Sequence, residues 1–176
     1  MWTLGAVLAL AGWVLKVSFF RPLARSLWAL MVALCAAGTT LWLAEWSPLA
    51  LQEALSTPSG RMNLTAVVTI DSLLLMAFCR SRLQEEGGRG WVARCLFAYP
   101  GVSVVGSSCY LSSLLLLNMP GWDFGWMACV AGAVLFVLGW GGSWLSARVF
   151  GSMEHRLEGL FLTSLALLLW GVVHHS

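Results

Sequence analysis

Apolar positions in this chain come in long unbroken runs, without the alternation of a half-buried strand or the stripe of a surface helix. Six such runs span residues 2–20, 27–46, 62–79, 95–117, 122–145 and 157–173. Each approaches the roughly 20 residues an α-helix needs to cross about 30 Å of hydrocarbon. Strands of a membrane barrel would be shorter and would alternate. The pattern predicts an all-α, polytopic integral membrane protein. Its six transmembrane helices would form three hairpins in a single transmembrane helical domain covering residues 1–176, with both termini on the outer side.

Composition agrees. The chain is 59% hydrophobic and only 10% charged, against about 25% charged in soluble domains. That leaves too little polar surface for a water-soluble globule, and no basic groove or motif for nucleic acid. The lipid bilayer is the first partner implied.

The charges are sorted along the chain, and this sets the expected orientation. Lys16, Arg21, Arg25, Arg80, Arg82, Arg89, Arg94, Arg148 and Arg156 fall in or beside the first, third and fifth connections, whereas Arg61 lies on the other side. Basic connections stay in the cytoplasm, so both termini are expected to face outward. Trp2, Trp42, Trp46, Trp122, Trp126 and Trp170 map to the outer ends of their runs, where an aromatic belt belongs. No basic residue precedes the first run, so it reads as a retained span, not a cleaved signal. Short connections and compactness point to a bacterial cytoplasmic (inner) membrane, multi-pass.

Within this apolar frame one residue stands out. Asp71 is a lone carboxylate near the middle of the third run. A charge at the bilayer centre costs at least about 2.5 kcal/mol, so such a group normally faces a partner, a cavity or a proton path. Thr65, Thr69, Ser72, Met76 and Cys79 recur at spacings of four and three, which places them on one helical face. Asp71 lies about 100° round from Ser72. Lys16 and the arginines map to the inner boundary, so the sequence leaves Asp71 without a countercharge inside the chain.

Small residues mark expected helix seams. In the fourth run Ser103, Gly106, Ser107, Ser108 and Ser112 let backbones approach closely, and Pro100 is expected to bend or begin the helix. In the fifth run Gly132, Gly139, Gly142 and Ser143 form a second stripe, serving a seam within the chain or with another subunit. Gly139, Gly141 and Gly142 also allow a local bend.

Other chemistry is sparse. The five cysteines form no C-x-x-C pair, so they read as small buried hydrophobes with no role in disulfide exchange or zinc binding. The outer groups Glu45, Glu53, Asp123, His174 and His175 are scattered, and no metal or other cofactor is expected. All three histidines sit at membrane edges and only one aspartate is deep, which disfavours haem, serine–histidine and paired-aspartate chemistry. The chain is therefore expected not to be an enzyme. The reading preferred from sequence is a non-catalytic integral membrane subunit that scaffolds or stabilises a multi-subunit inner-membrane complex alongside other integral membrane subunits. A complex driven by proton or ion flow is the natural setting. The alternative is a small proton- or cation-coupled membrane transporter with Asp71 as coupling site, its route lined by Thr65, Thr69 and Ser72.

Overall fold

The computed structural model describes residues 2–45, 53, 56–83, 91, 95–96, 99, 101–119 and 121–173. Five of the six apolar runs are free of proline and place no obstacle in the way of the i→i−4 hydrogen-bond ladder, and all six runs contain helix. In chain order these are α1 (Trp2–Val17), α2 (Pro22–Glu45), α3 (Pro58–Leu83), α4 (Val102–Asn118), α5 and α6 (Met153–Val173). Helix α5 starts as Phe124–Val137, passes through a π-helical turn at Leu138–Gly142 and resumes as Ser143–Val149. There is no strand among the described residues. Four helices, α2, α3, α5 and α6, are long and apolar enough to cross a membrane. The other two, α1 and α4, are shorter, at 16 and 17 residues.

The fourth element begins where Pro100 was expected to bend or begin it, and so is shorter than its apolar run. The run at 95–117 predicts one continuous span, yet α4 begins only at Val102, and Tyr99 and Gly101 are not helical. Proline at position 100 supplies no N–H and pushes the residue before it out of the helical region. Gly101 then adopts φ 92°, a left-handed backbone that glycine takes without penalty. Pro100 itself lies outside the described residues. So do residues 84–90 and 92–94, Trp46, His174 and His175.

Helix α1 is the hub. It packs on α4, α6 and the second half of α5, while α2 lies against α5 and α4, and α3 against α6. Trp13 and Val17 of α1 and Phe20 of the bend that follows it meet Val32 and Ala36 of α2, Val104 of α4 and Leu135 of α5 in the central cluster. Leu75, Phe78 and Cys79 of α3 join Leu157 and Leu160 of α6 in a second. Two smaller clusters are buried as well, yet many large apolar side chains are exposed on every helix, among them Val7, Leu27, Ile70, Val105, Val134 and Leu162. A soluble monomer rarely exposes apolar surface on this scale; a multi-pass membrane protein presents it to lipid.

The glycine stripe of α5 is used inside the chain. A Cβ on Gly132 would stand 3.1 Å from the Ala33 carbonyl oxygen of α2, and one on Gly142 would stand 3.1 Å from Val14 of α1. One on Gly139 would run into the Trp13 ring. Ser143 is fully buried and its hydroxyl donates to the Trp140 carbonyl at 2.9 Å. Of the two seams left open by the sequence, the intramolecular one is built. The bend allowed by the glycines is the π-turn, whose wider ring is a recurrent local distortion of α-helices. Trp170 also departs from expectation. Trp42, Trp122 and Trp126 are exposed as a belt requires, but Trp170 is buried over Gly5 of α1, because only glycine leaves room there for an indole.

Candidate functional site: a buried carboxylate at a helix start

Asp71 projects from the middle of α3 and is 1% exposed. Its Oδ2 accepts the backbone N–H of Ser103 at 3.0 Å and also the Ser103 hydroxyl. Both donors belong to the first turn of α4, where four backbone N–H groups lack intrahelical partners. The carboxylate therefore acts as an N-cap supplied from another helix, with its charge set against the positive end of the α4 dipole. Gly101 makes the approach feasible, since a Cβ there would lie 3.3 Å from Oδ2.

This contact fixes depth. Asp71 precedes the end of α3 at Leu83 by twelve residues, about 18 Å of helix. The start of α4 is thus level with the middle of α3. The fourth element is discontinuous, and its helical part begins deep in the bundle.

The sequence reading left Asp71 without a countercharge, and the structure brings a buried lysine into electrostatic range of it. Lys16 of α1 is 3% exposed and close enough to Asp71 to interact with it electrostatically. Its ammonium donates to the Tyr99 carbonyl and lies 5.3 Å from the Phe78 ring centroid and 5.4 Å from that of Tyr99. Its Cα sits in the last turn of α1. Side chains on a helix tilt toward its N-terminus, however, and a lysine stem is long. The charge is delivered back toward mid-depth. The Tyr99 hydroxyl, also near Asp71, accepts the Val102 N–H at 3.3 Å. Lys16, Tyr99 and Gly101 are the members of the site that the sequence reading missed. A lysine one turn inside an apolar run and a Tyr-Pro-Gly break were the signals available.

The hydroxyl stripe beside Asp71 does not join the site. Thr65 donates to the Arg61 carbonyl at 3.0 Å, Thr69 to that of Thr65 at 2.8 Å and Ser72 to that of Val68 at 2.8 Å. These hydroxyls are spent on their own helix, one turn back. Among the α4 serines, Ser108 likewise bonds back to Val104 at 2.8 Å, while the Ser112 and Thr40 hydroxyls pair at 2.8 Å and tie α4 to α2.

Ser103, Gly106 and Ser107 instead line a cavity of about 400 Å³ between α1, α3, α4 and α6. Most of its other walls are apolar, with Ala9, Val68, Val105, Leu167 and Trp170 among them, and Cys109 and Tyr110 complete the lining. Ser103 thus touches both the cavity and the carboxylate. The Asp71 Oδ1 atom is buried without a hydrogen-bond partner.

Among the described residues no group of three His, Cys, Asp or Glu side chains is placed to hold a metal. Asp123, one of the scattered outer acids, caps α5 by accepting the Gly125 N–H at 2.7 Å. Comparison with family models, curated proteins and solved structures finds no match.

Proposed function

We propose that this protein is a small proton-coupled membrane carrier, of six spans with both termini outside, in which Asp71 is the coupling group. The observation that carries this reading is a buried carboxylate shared between a charge partner and the start of a discontinuous helix, next to a cavity. Discontinuous helices with their half-helix ends at mid-depth are the usual ion and substrate sites of membrane carriers. The oxygen available to a proton is Oδ1, because Oδ2 already accepts two hydrogen bonds. A proton placed there removes the charge that holds both the first turn of α4 and the Lys16 ammonium. It also weakens the pull of the carboxylate on the Ser103 hydroxyl, which then turns to a polar group in the cavity. Occupancy of the cavity and protonation are linked in this way through one side chain. The walls favour a substrate that is mostly apolar, with a single hydrogen-bonding group.

Two grounds for the scaffold reading are weakened by the same geometry. Asp71 has an internal countercharge, and the α5 glycine stripe is occupied by the chain's own helices. One observation still favours a subunit role. A Cβ on Gly38 of α2 or Gly141 of α5 would meet nothing within 4 Å, which leaves close-approach faces for a neighbouring transmembrane helix. Retention of stoichiometric membrane proteins after mild-detergent purification would establish that role.

The carrier reading is tested in proteoliposomes under an imposed pH gradient, with internal pH followed while a panel of small apolar compounds is added. The wild type is expected to show compound-dependent proton movement. The double variant Asp71→Asn/Lys16→Met, which removes both charges together and so leaves no unpaired ion in the core, is expected to show none while eluting as a folded species. Undiminished proton movement in that variant overturns the reading.

A further inference from the structure

We propose that the guanidinium groups of Arg25 and Arg156 form a binding site for the phosphate of an anionic phospholipid at the basic end of the bundle. Arg25 comes from the first turns of α2 and Arg156 from the first turn of α6, and they converge on the bend between α1 and α2. Arg25 donates through Nη2 to the Ser18 carbonyl at 3.1 Å and to that of Phe20 at 3.4 Å. Arg156 donates through Nη1 to the same Ser18 carbonyl at 3.3 Å and through Nε to the Ser152 carbonyl at 3.4 Å. The carbonyl of Ser18 lies just past the last turn of α1, so the two side chains cap an open helix end.

Capping does not exhaust them. A guanidinium carries five N–H donors in a planar fork, and the Arg25 Nε is buried with no acceptor. The two cations are close enough to repel each other. Among the described residues neither has a carboxylate in ion-pair range. The Phe19 ring covers Arg156, 5.4 Å from centroid to guanidinium. Two converging guanidinia that lack an anion match the oxygens of one phosphate. Basic pockets between transmembrane helices at the cytoplasmic side are where anionic headgroups bind. A lipid is favoured over a free phosphate because Leu23 and Leu27, on either side of Arg25 along α2, are 80% and 63% exposed and offer contact for acyl chains.

The test is native mass spectrometry of the detergent-solubilised chain with added phosphatidylglycerol, phosphatidylcholine or inorganic phosphate. The wild type is expected to retain one phosphatidylglycerol. In Arg25→Gln/Arg156→Gln its affinity should fall about 10- to 30-fold, as loss of two interfacial charges implies. Arg25→Lys/Arg156→Lys keeps the charges and can still donate to the α1 carbonyls, so it folds even where the glutamine variant does not. It should nonetheless bind several-fold more weakly, because an ammonium cannot grip phosphate as a fork. Arg148→Gln serves as control, since that arginine stands at the same end over the Trp144 ring, 4.6 Å from its centroid. Unchanged retention in the lysine variant overturns the proposal. So does an equal loss in Arg148→Gln, which would mean diffuse charge attraction. Inorganic phosphate displacing the lipid at equal concentration would assign the site to a free anion and overturn the lipid claim.

Discussion

Replacing Asp71 with asparagine removes one negative charge and leaves the shape nearly unchanged, so the effect of the substitution is electrostatic. Lys16 remains buried with its ammonium uncompensated, and the first turn of α4 loses a charged acceptor. Breaking a directly paired buried salt bridge from one side costs about 3–5 kcal/mol, and two charges coupled only at longer range cost less. Asp71→Asn should therefore lower the thermal unfolding temperature in detergent, and adding Lys16→Met should restore a good part of the loss. A double variant no more stable than the single one would show that the two charges are not coupled. At this scale the sequence exposed half of the pair. An acid in the middle of an apolar run is conspicuous, whereas Lys16 sits where a snorkelling lysine belongs and reaches the other way. Its direction depends on helix geometry and on Tyr99, Phe78 and Asp71 being on neighbouring segments, which no linear reading supplies.

Among the helices, the seam between α2 and α5 is set by the absence of one side chain. Gly132 lies against a backbone carbonyl, which cannot rotate away as a side chain would. Gly132→Ala should thus destabilise the bundle by roughly 1–3 kcal/mol, the usual cost of overpacking. Gly38→Ala, with open space beside it, should be neutral or stabilising by up to about 1 kcal/mol through helix propensity alone. Thermal unfolding of the two variants side by side decides the matter, and equal behaviour would mean that the seam is loose. Helical stretches were readily legible in the apolar runs, and so was the role of the glycines as close-approach points. The break before α4 was signalled by Pro100 alone and not by the apolar pattern. Hydropathy averages over a window, and Tyr99 and Gly101 do little to lower it, so a span interrupted by backbone geometry looks continuous in composition.

Over the whole molecule, the arginines at the α1–α2 bend, at the end of α3 and at the start of α6 collect at one end. The Ser18 carbonyl, Cys79 and Leu157 share that level through the bonds from Arg156 to Ser18 and from the Cys79 thiol to the Leu157 carbonyl. The opposite end carries the exposed Trp42, Trp122 and Trp126. This polarity supports the proposed orientation and gives it a direct check. Reporter fusions active only outside the cytoplasm should be active at both termini, while a fluorescent reporter placed within residues 84–90 should report a cytoplasmic location. Reporters disagreeing about the two termini would require an odd number of crossings and would discard the six-span arrangement.

Helix α4 starting at the depth of Asp71 also has a consequence for how the chain is made. The first N–H groups of a helix left bare in hydrocarbon cost several kcal/mol each, and here their acceptor is supplied by α3, braced by α1. When the ribosome delivers α4 to the translocon, that segment is a poor candidate to enter lipid alone. It gains a stable place only beside helices synthesised earlier. In the proposed six-span arrangement, biogenesis is therefore expected to be ordered, with the first three helices serving as an assembled template that receives the fourth.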